Sequence, residues 1–396
     1  MRSFFIKLGK IARLWKRSGF WGGLKIIWGY LCAYFKAFFV GSGEVLFVSS
    51  GVGDSALYRA YNPAEELRLH GINAKTTISD NPRLEKLADR FSVFVLHRTL
   101  WNKNVEGLVR RAKELKKEII FDTDDLVYDG KYISQMDYFE KMSPAEKAVY
   151  EKGIGAEIVD DLYVKVATTT VTYLAKKLRE KGKRVIIVPN RISNAEFSLA
   201  EELIERKKTD DGIIRIAYAS GTLSHNKDFA TIGEALLTIL EKYENVKLRL
   251  MGPLDISPEL EAVRDRIEII PRVPRKEMYE KLYEADINLA PLEIGNPFCE
   301  SKSAIKFTEA GVLKLPTVAV RNQTFSETIE DGVDGFLAAD TGEWIEKLSR
   351  LIEDENFRKT MGEKAREKVL KYYTNRNSQN EEYYRFIRGR IKNNKE

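Results

Sequence analysis

Twice along its 396 residues the chain repeats one local grammar: a short apolar run, a polar loop carrying glycine, then a helical stretch. The first copy opens with Glu44–Ser50 (EVLFVSS), continues through Gly51-Val52-Gly53, and has a helical pattern from Leu57 to His70 that Gly71 ends. The second opens with Ile213–Ala219 (IIRIAYA) and continues through the loop Ser220–Asp228 (SGTLSHNKD) into an amphipathic helix over Phe229–Tyr243. Strand, glycine turn and helix in that order open a Rossmann-like βαβ unit. A chain this long exceeds one typical core. Two such halves therefore predict an α/β protein of two Rossmann-like domains facing a central cleft.

Further strands are expected at Phe91–Leu96, Glu118–Phe121, Leu162–Thr170 and Arg184–Val188 in the first half. In the second half they are expected at Val246–Met251, Arg266–Ile270, Ile287–Ala290 and Pro316–Val320. Charged helical segments separate them, over Glu106–Lys117, Thr172–Lys181 and Met278–Glu284. Pro189-Asn190-Arg191 closes the first half, and Ser193–Asp211 is rich in charge without a strand pattern. The domain plan is thus an extension over 1–40, a first domain over 41–190, a linker over 191–212, a second domain over 213–370 and a terminal helix over 371–396.

The extension holds eight cations (Arg2, Lys7, Lys10, Arg13, Lys16, Arg17, Lys25, Lys36) and no acid, whereas the whole chain carries a net charge of only +6. Large aromatics are interleaved with these cations, among them Trp15, Trp21, Trp28, Tyr34, Phe35, Phe38 and Phe39. That mixture suits a segment lying in a membrane interface, where rings sit at headgroup level and lysine stems snorkel. A partner-docking helix and a true span compete with this reading. Lys25 and Lys36 interrupt the apolar stretch that a span or a signal peptide needs, and a nucleic-acid arm would not need so many large aromatics. Two cysteines, Cys32 and Cys299, exclude a disulfide framework and fit a reducing compartment. Three histidines give no zinc-type spacing.

Strand ends are where an open parallel sheet holds its ligand. On the first-domain side these are Gly51 and Gly53, His97 and Arg98, and the run Asp122-Thr123-Asp124-Asp125. Three carboxylates in four positions need a cation, a metal or a raised pKa to offset them; the run equally fits a turn in which aspartates accept backbone N–H groups. On the second-domain side lies Asn296–Val320 (NPFCESKSAIKFTEAGVLKLPTVAV). A helix over Lys302 to Leu313 puts Lys302, Lys306 and Glu309 at i, i+4 and i+7 on one face, its ends roughly 10 Å apart. Cations at one end and a carboxylate at the other match a ligand with a diphosphate and a ribose diol. The same spacing also fits a solvated face with intrahelical Lys–Glu pairs.

Over residues 44–375, and most strongly from Ile213 to Phe336, the chain resembles the retaining GT-B nucleotide-sugar glycosyltransferases of the "glycosyl transferases group 1" class. The family loop G-R-x-x-x-x-K-G is matched by Gly221 and Lys227, with Thr222 at the arginine and Asp228 at the second glycine. The resemblance implies that Lys227 neutralises the donor diphosphate and that Lys302 or Lys306 replaces the missing cation. It gives Glu309, followed by Ala310-Gly311, the nucleotide ribose; the companion glutamate falls on Ser301, beside Glu300. The patterns S-G-T-x-x-H-N-x-D and K-S-x-x-K-x-x-E add Gly221, Thr222, His225, Lys302 and Ser303 to the donor side. The family's catalytic histidine falls on Asp122, so Asp122 or Asp124 is expected to handle the acceptor hydroxyl, with His97 as a further candidate. The implied function is transfer of a sugar, with retention, from a nucleotide sugar to a glycan or lipid-linked acceptor in bacterial surface-polysaccharide assembly. It would work without metal or other cofactor and without nucleic acid, in the cytoplasm at the membrane surface that residues 1–40 contact. A nucleotide-sugar epimerase of the same fold and a non-catalytic, membrane-anchored nucleotide-sugar-binding scaffold are the alternatives.

Overall fold

The computed structural model describes residues 20–137, 139–208, 211–221 and 225–394, with side chains from residue 28 onward. Two all-parallel six-stranded sheets form the two domains. The first contains β1 Val45–Ser49, β2 Ala74–Ile78, β3 Val93–His97, β4 Glu118–Thr123, β5 Val166–Thr169 and β6 Arg184–Ile187, in the order β2-β1-β3-β4-β5-β6. The second contains β7 Ile214–Ala219, β8 Val246–Met251, β9 Ile267–Ile270, β10 Ile287–Ala290, β11 Thr317–Val320 and β12 Phe336–Ala338, in the order β12-β11-β10-β7-β8-β9. Every residue of β1, β3, β10 and β11 is buried. Helices cover both faces of each sheet, so these strands read as unbroken apolar runs.

One core fills the second domain, and two fill the faces of the first sheet. Phe298, from the second domain's short helix Pro297–Glu300, is buried in a first-domain core. The C-terminal helix Glu381–Asn393 likewise crosses back, packing Tyr383, Tyr384 and Ile387 against Val45, Val95 and Ile120. Both crossings register one sheet against the other.

Several elements differ from expectation for identifiable reasons. β2 is an edge strand of mixed polarity (AKTTI), which hides it from a search for apolar runs. The expected linker contains the helix Asn194–Ile204, started by a capping box in which Ser193 and Glu196 satisfy each other's backbone N–H; its Ala200 and Leu203 join the second-domain core. The helix expected over Lys302 to Leu313 spans only Ile305–Gly311, because Ala304 sits at ψ 33° outside the helical region. Lys302 therefore lies in the turn before it. The long helix after β7 is broken into Asn226–Ala230 and Gly233–Lys242.

Ahead of β1 the helix Phe20–Lys36 packs at the carboxyl edge of the first sheet, where the Tyr34 hydroxyl donates to Asp80 at 2.8 Å and the Thr77 hydroxyl donates to the Ala37 carbonyl at 2.8 Å. Among the described residues no helix is long and apolar enough to cross a membrane. Of the extension, residues 1–19 lie outside the described residues, as does Thr222.

Candidate functional site

Strand order reverses between β1 and β3 in the first sheet and between β7 and β10 in the second. A doubly wound sheet takes its ligand outside the carboxyl ends of such strands, and here the two crevices face each other across the interdomain cleft.

The first-domain wall is built on a buried chain of hydrogen bonds. His97 ends β3 and pairs in register with Asp122 on β4. Its Nδ1 lies 2.7 Å from Asp122 Oδ1, and its Nε2 lies 2.6 Å from the Ser55 hydroxyl. An ionised carboxylate only accepts, so Nδ1 carries the proton, Nε2 is left as an acceptor, and Ser55 donates to it. Asp122 also accepts from Arg59 through both oxygens (Nε to Oδ1 3.1 Å, Nη2 to Oδ2 2.5 Å) and from the Thr168 hydroxyl at 2.7 Å. Burial alone would raise its pKa, but the Arg59 guanidinium and His97 outweigh it and hold the carboxyl well below the usual range. The expected role of Asp122 is therefore corrected. It is 2% exposed with both oxygens occupied, so it fixes the His97 ring and does not itself reach a substrate hydroxyl.

Asp124 and Asp125 do face the cleft, and cations offset the clustered charge in place of a backbone cap. Arg98 Nη1 lies 3.2 Å from Asp124 and 3.9 Å from Asp125, and Lys302 Nζ reaches Asp125 Oδ2 at 3.1 Å from the second domain. Burial would raise Asp124, yet Arg98 and His97 bring it below its ordinary value. Arg98 itself adopts φ +43°, a left-handed conformation that costs a non-glycine residue on the order of 1 kcal/mol or more and is concentrated at functional sites. In the β1 loop a side chain at Gly53 would meet nothing within 4 Å and one at Gly51 only the Tyr30 hydroxyl at 3.6 Å. These glycines leave the backbone open to the cleft.

The second-domain wall gathers most of its expected residues. Lys306 places its ammonium 4.6 Å from the Tyr218 ring centroid and donates to the Ala219 carbonyl. Its pKa is lowered, first by burial and further by the neighbouring Lys302. His225 is lowered by burial and by Lys306 and Lys302, against the 2.9 Å hydrogen bond it makes to Asp228. Burial would lower Lys302 too, but Asp125 outweighs it and raises the net value. Three basic groups thus converge between the end of β7 and the start of the helix Ile305–Gly311. The Gly221 carbonyl accepts from Arg272 at 3.1 Å, and Arg272 also pairs with Asp54 of the first domain at 2.8 Å. Lys227 is exposed, its backbone N–H donates to Asp137 at 3.0 Å, and among the described residues its ammonium forms no ion pair. Ser303 is directed elsewhere: it accepts from Asn190 at 3.0 Å and lines an interdomain cavity of 160 Å³.

Glu309 is the hub of a cluster that sequence patterns do not reveal. It accepts from the Tyr58 hydroxyl at 2.5 Å and from Arg275 Nη2 at 2.6 Å. Arg275 also bonds Glu196 and lies 4.8 Å from the Tyr58 ring. The buried Glu196 and the part-buried Glu309 share one guanidinium, and burial pushes Glu196 up to about 7. Ser301 is fully buried and donates to the Phe298 carbonyl at 2.7 Å, so it presents no polar group to the cleft. Of the residues missed by sequence reasoning, Ser55 and Tyr58 had one available signal, their position in the helical stretch that follows the glycine loop. Arg59 and Arg275 had none.

Residues 215–354 match the family model "Glycosyl transferases group 1". No curated protein matches the sequence. Among solved structures, HepE of Anabaena, determined in complex with UDP and glucose, is 13% identical and covers 89% of this chain and 98% of its own at a TM-score of 0.56. A glycosyltransferase from Rickettsia africae is 13% identical, with 89% and 100% covered and a TM-score of 0.60. WaaG, a glycosyltransferase involved in lipopolysaccharide biosynthesis, is 16% identical, with 87% and 100% covered and a TM-score of 0.56. The chain thus has the GT-B glycosyltransferase fold, with the match to the glycosyl transferases group 1 model confined to its second domain.

Proposed function

We propose that this protein transfers a sugar, with retention, from a nucleotide-sugar donor to a glycan or lipid-linked acceptor in the assembly of a surface polysaccharide. The observation that carries the reading is the convergence of Lys302, Lys306 and His225 at one end of the second-domain wall, with Glu309 one turn beyond Lys306 on the same helix, opposite His97 and Arg98. As the bond from the anomeric carbon to the diphosphate breaks, negative charge develops on the leaving oxygen. Ammonium groups at Lys306, at Lys302 once it leaves Asp125, and at the exposed Lys227 would offset that charge, in the role a divalent ion fills elsewhere. Glu309 would exchange its Tyr58 bond for the ribose hydroxyls. On the acceptor side, a substrate hydroxyl taking the place of Ser55 would donate to His97 Nε2, while Asp122 keeps the ring in the accepting tautomer. HepE, crystallised with UDP and glucose, and WaaG, which acts in lipopolysaccharide biosynthesis, support a nucleotide sugar and an envelope glycan. The basic, aromatic N-terminal segment would hold the enzyme on the cytoplasmic face of the membrane as a peripheral protein.

The test is release of nucleoside diphosphate and transfer of sugar across a panel of nucleotide sugars and lipid-linked acceptors, with Glu309→Ala and Lys227→Ala beside the parent. Undiminished transfer in both variants would sink the site assignment. The buried Ser301 favours one other reading, a scaffold that binds the nucleotide sugar without turning it over. Calorimetric donor binding with no turnover on any acceptor would select it.

A further inference from the structure

On the face of the first domain beside the N-terminal helix lies a groove of 350 Å³, formed where the chain leaves that helix and passes the segment Leu84–Arg90. Phe38 and Phe39 line one side, Arg83, Lys86 and Arg90 the other, with Leu87 beneath. The three cations recur at i, i+3 and i+7, which places them on one face of the segment. The two acids of the same segment are engaged on another side, Glu85 with Arg110 at 2.6 Å and Asp89 with Arg111 at 2.8 Å. They leave the groove positive. Among the described residues, none of Arg83, Lys86 and Arg90 forms an ion pair.

The groove continues an apolar stripe. Tyr30, Tyr34 and Phe38 turn toward the protein, and the opposite side exposes Trp28 (70%), Phe35 (58%) and Phe39 (78%). The Asn81 amide donates to the Phe38 carbonyl at 3.4 Å and fixes the end of the helix against the domain. A soluble anion would satisfy the cations and leave three large rings in water. A bilayer surface bearing anionic lipid satisfies both, since phosphates meet the basic groups while the rings enter the headgroup boundary. The eight cations and absent acids of the first forty residues add charge of the same sign.

Building on the membrane attachment proposed above, we propose that Arg83, Lys86 and Arg90 form a headgroup site for an anionic phospholipid. This second contact, outside the N-terminal segment, fixes which face of the first domain lies on the bilayer.

The full chain should be floated with vesicles of phosphatidylcholine, with and without phosphatidylglycerol. Two variants belong beside it: R83Q/K86Q/R90Q and a control, K359Q/K364Q/K371Q, removing equal charge from the second domain. The parent should bind only the phosphatidylglycerol vesicles. The groove variant should bind them on the order of a hundredfold more weakly, at the energy typical of three juxtamembrane cations, with its far-ultraviolet dichroism and melting unchanged, and the charge control should stay within a few-fold of the parent. If the parent and the groove variant bind alike, or the groove variant and the charge control weaken alike, the headgroup site is overturned while membrane attachment stands. If the parent binds neither vesicle, the attachment reading fails, and the groove site with it.

Discussion

Replacing Asp122 by asparagine tests the buried chain on which the first-domain wall rests. Arg59 is 1% exposed and Asp122 2%, and the guanidinium takes both carboxylate oxygens. Asparagine keeps the volume but places an NH₂ group where one oxygen accepted. At the Oδ1 position it would oppose both Arg59 Nε and the His97 N–H. At the Oδ2 position it opposes only Arg59 Nη2, because the Thr168 hydroxyl can turn to accept. The second orientation should form, preserving the His97 contact and leaving the Arg59 charge without its counter-ion. Breaking a buried pair from one side costs about 3–5 kcal/mol, a large share of the roughly 5–15 kcal/mol that holds a domain folded. Urea unfolding of Asp122→Asn should show the first-domain transition moved by that amount. The pH dependence supplies a second check. Because the native carboxyl titrates below the unfolded value of 3.8, the unfolded state binds more protons in that window. The parent's advantage is thus complete above 3.8 and shrinks by about 1.4 kcal/mol per pH unit as acid is added below it. A loss under about 1 kcal/mol, or a difference between parent and variant that acid leaves unchanged, would refute the buried ion pair as the organiser of this wall.

Glu196 has the opposite sign. Its native pKa of about 7 against 4.5 means the folded state keeps a proton that the unfolded state has lost, so stability should fall as pH rises between those values. Glu196→Gln should flatten that slope, by at most about 3 kcal/mol in total, and a slope the same in parent and variant would contradict it. The cysteines should separate in thiol titration. Cys32 is exposed, whereas Cys299 is buried with its thiol pushed well above the ordinary range by burial and by Asp228, to which it donates at 3.1 Å. One thiol per chain should react in the native protein and the second only after denaturation; two thiols reacting at one rate would show the turn around Asn296–Ser301 to be open.

What the sequence makes legible follows from how locally each feature is encoded. Fully buried parallel strands are nearly continuous apolar runs, so β1, β3, β10 and β11 are readable where they lie, and the glycine loops after β1 and β7 mark the carboxyl ends of those two strands. The edge strand β2 carries Lys75, Thr76 and Thr77 and fails the same criterion. The helix Asn194–Ile204 was readable through Ser193 and Glu196, since a serine followed three positions later by a glutamate announces a capping box. Charge-rich composition instead suggested a linker. In the site, single residues at strand ends could be named, but their roles depend on partners brought from far along the chain. Tyr58 and Glu309 are 251 positions apart, and Arg59 and Asp122 are 63 apart. No local pattern records that Arg59 takes Asp122 out of the cleft and leaves His97 Nε2 facing a hydroxyl.

The stretch Asn296–Val320 shows how far such placement alters a reading based on spacing. As one helical face, Lys302, Lys306 and Glu309 would be three interchangeable surface charges. In the fold they differ in what a donor must displace. Lys302 precedes the helix and is held by Asp125 of the opposite domain, so a diphosphate gains it only by competing with that carboxylate. Lys306 is held by a carbonyl and an aromatic face, with its pKa lowered by burial, so an arriving diphosphate would strengthen its hold on the proton. Glu309 must release Tyr58. Two of these three exchanges break a contact between domains, while Phe298, a few residues upstream, stays embedded in the first-domain core. On the proposed donor site, binding would therefore loosen the cleft at its mouth, around Asp125 and Tyr58, and leave its base anchored. The donor-bound protein should then differ from the free protein in domain angle without dissociating the two sheets.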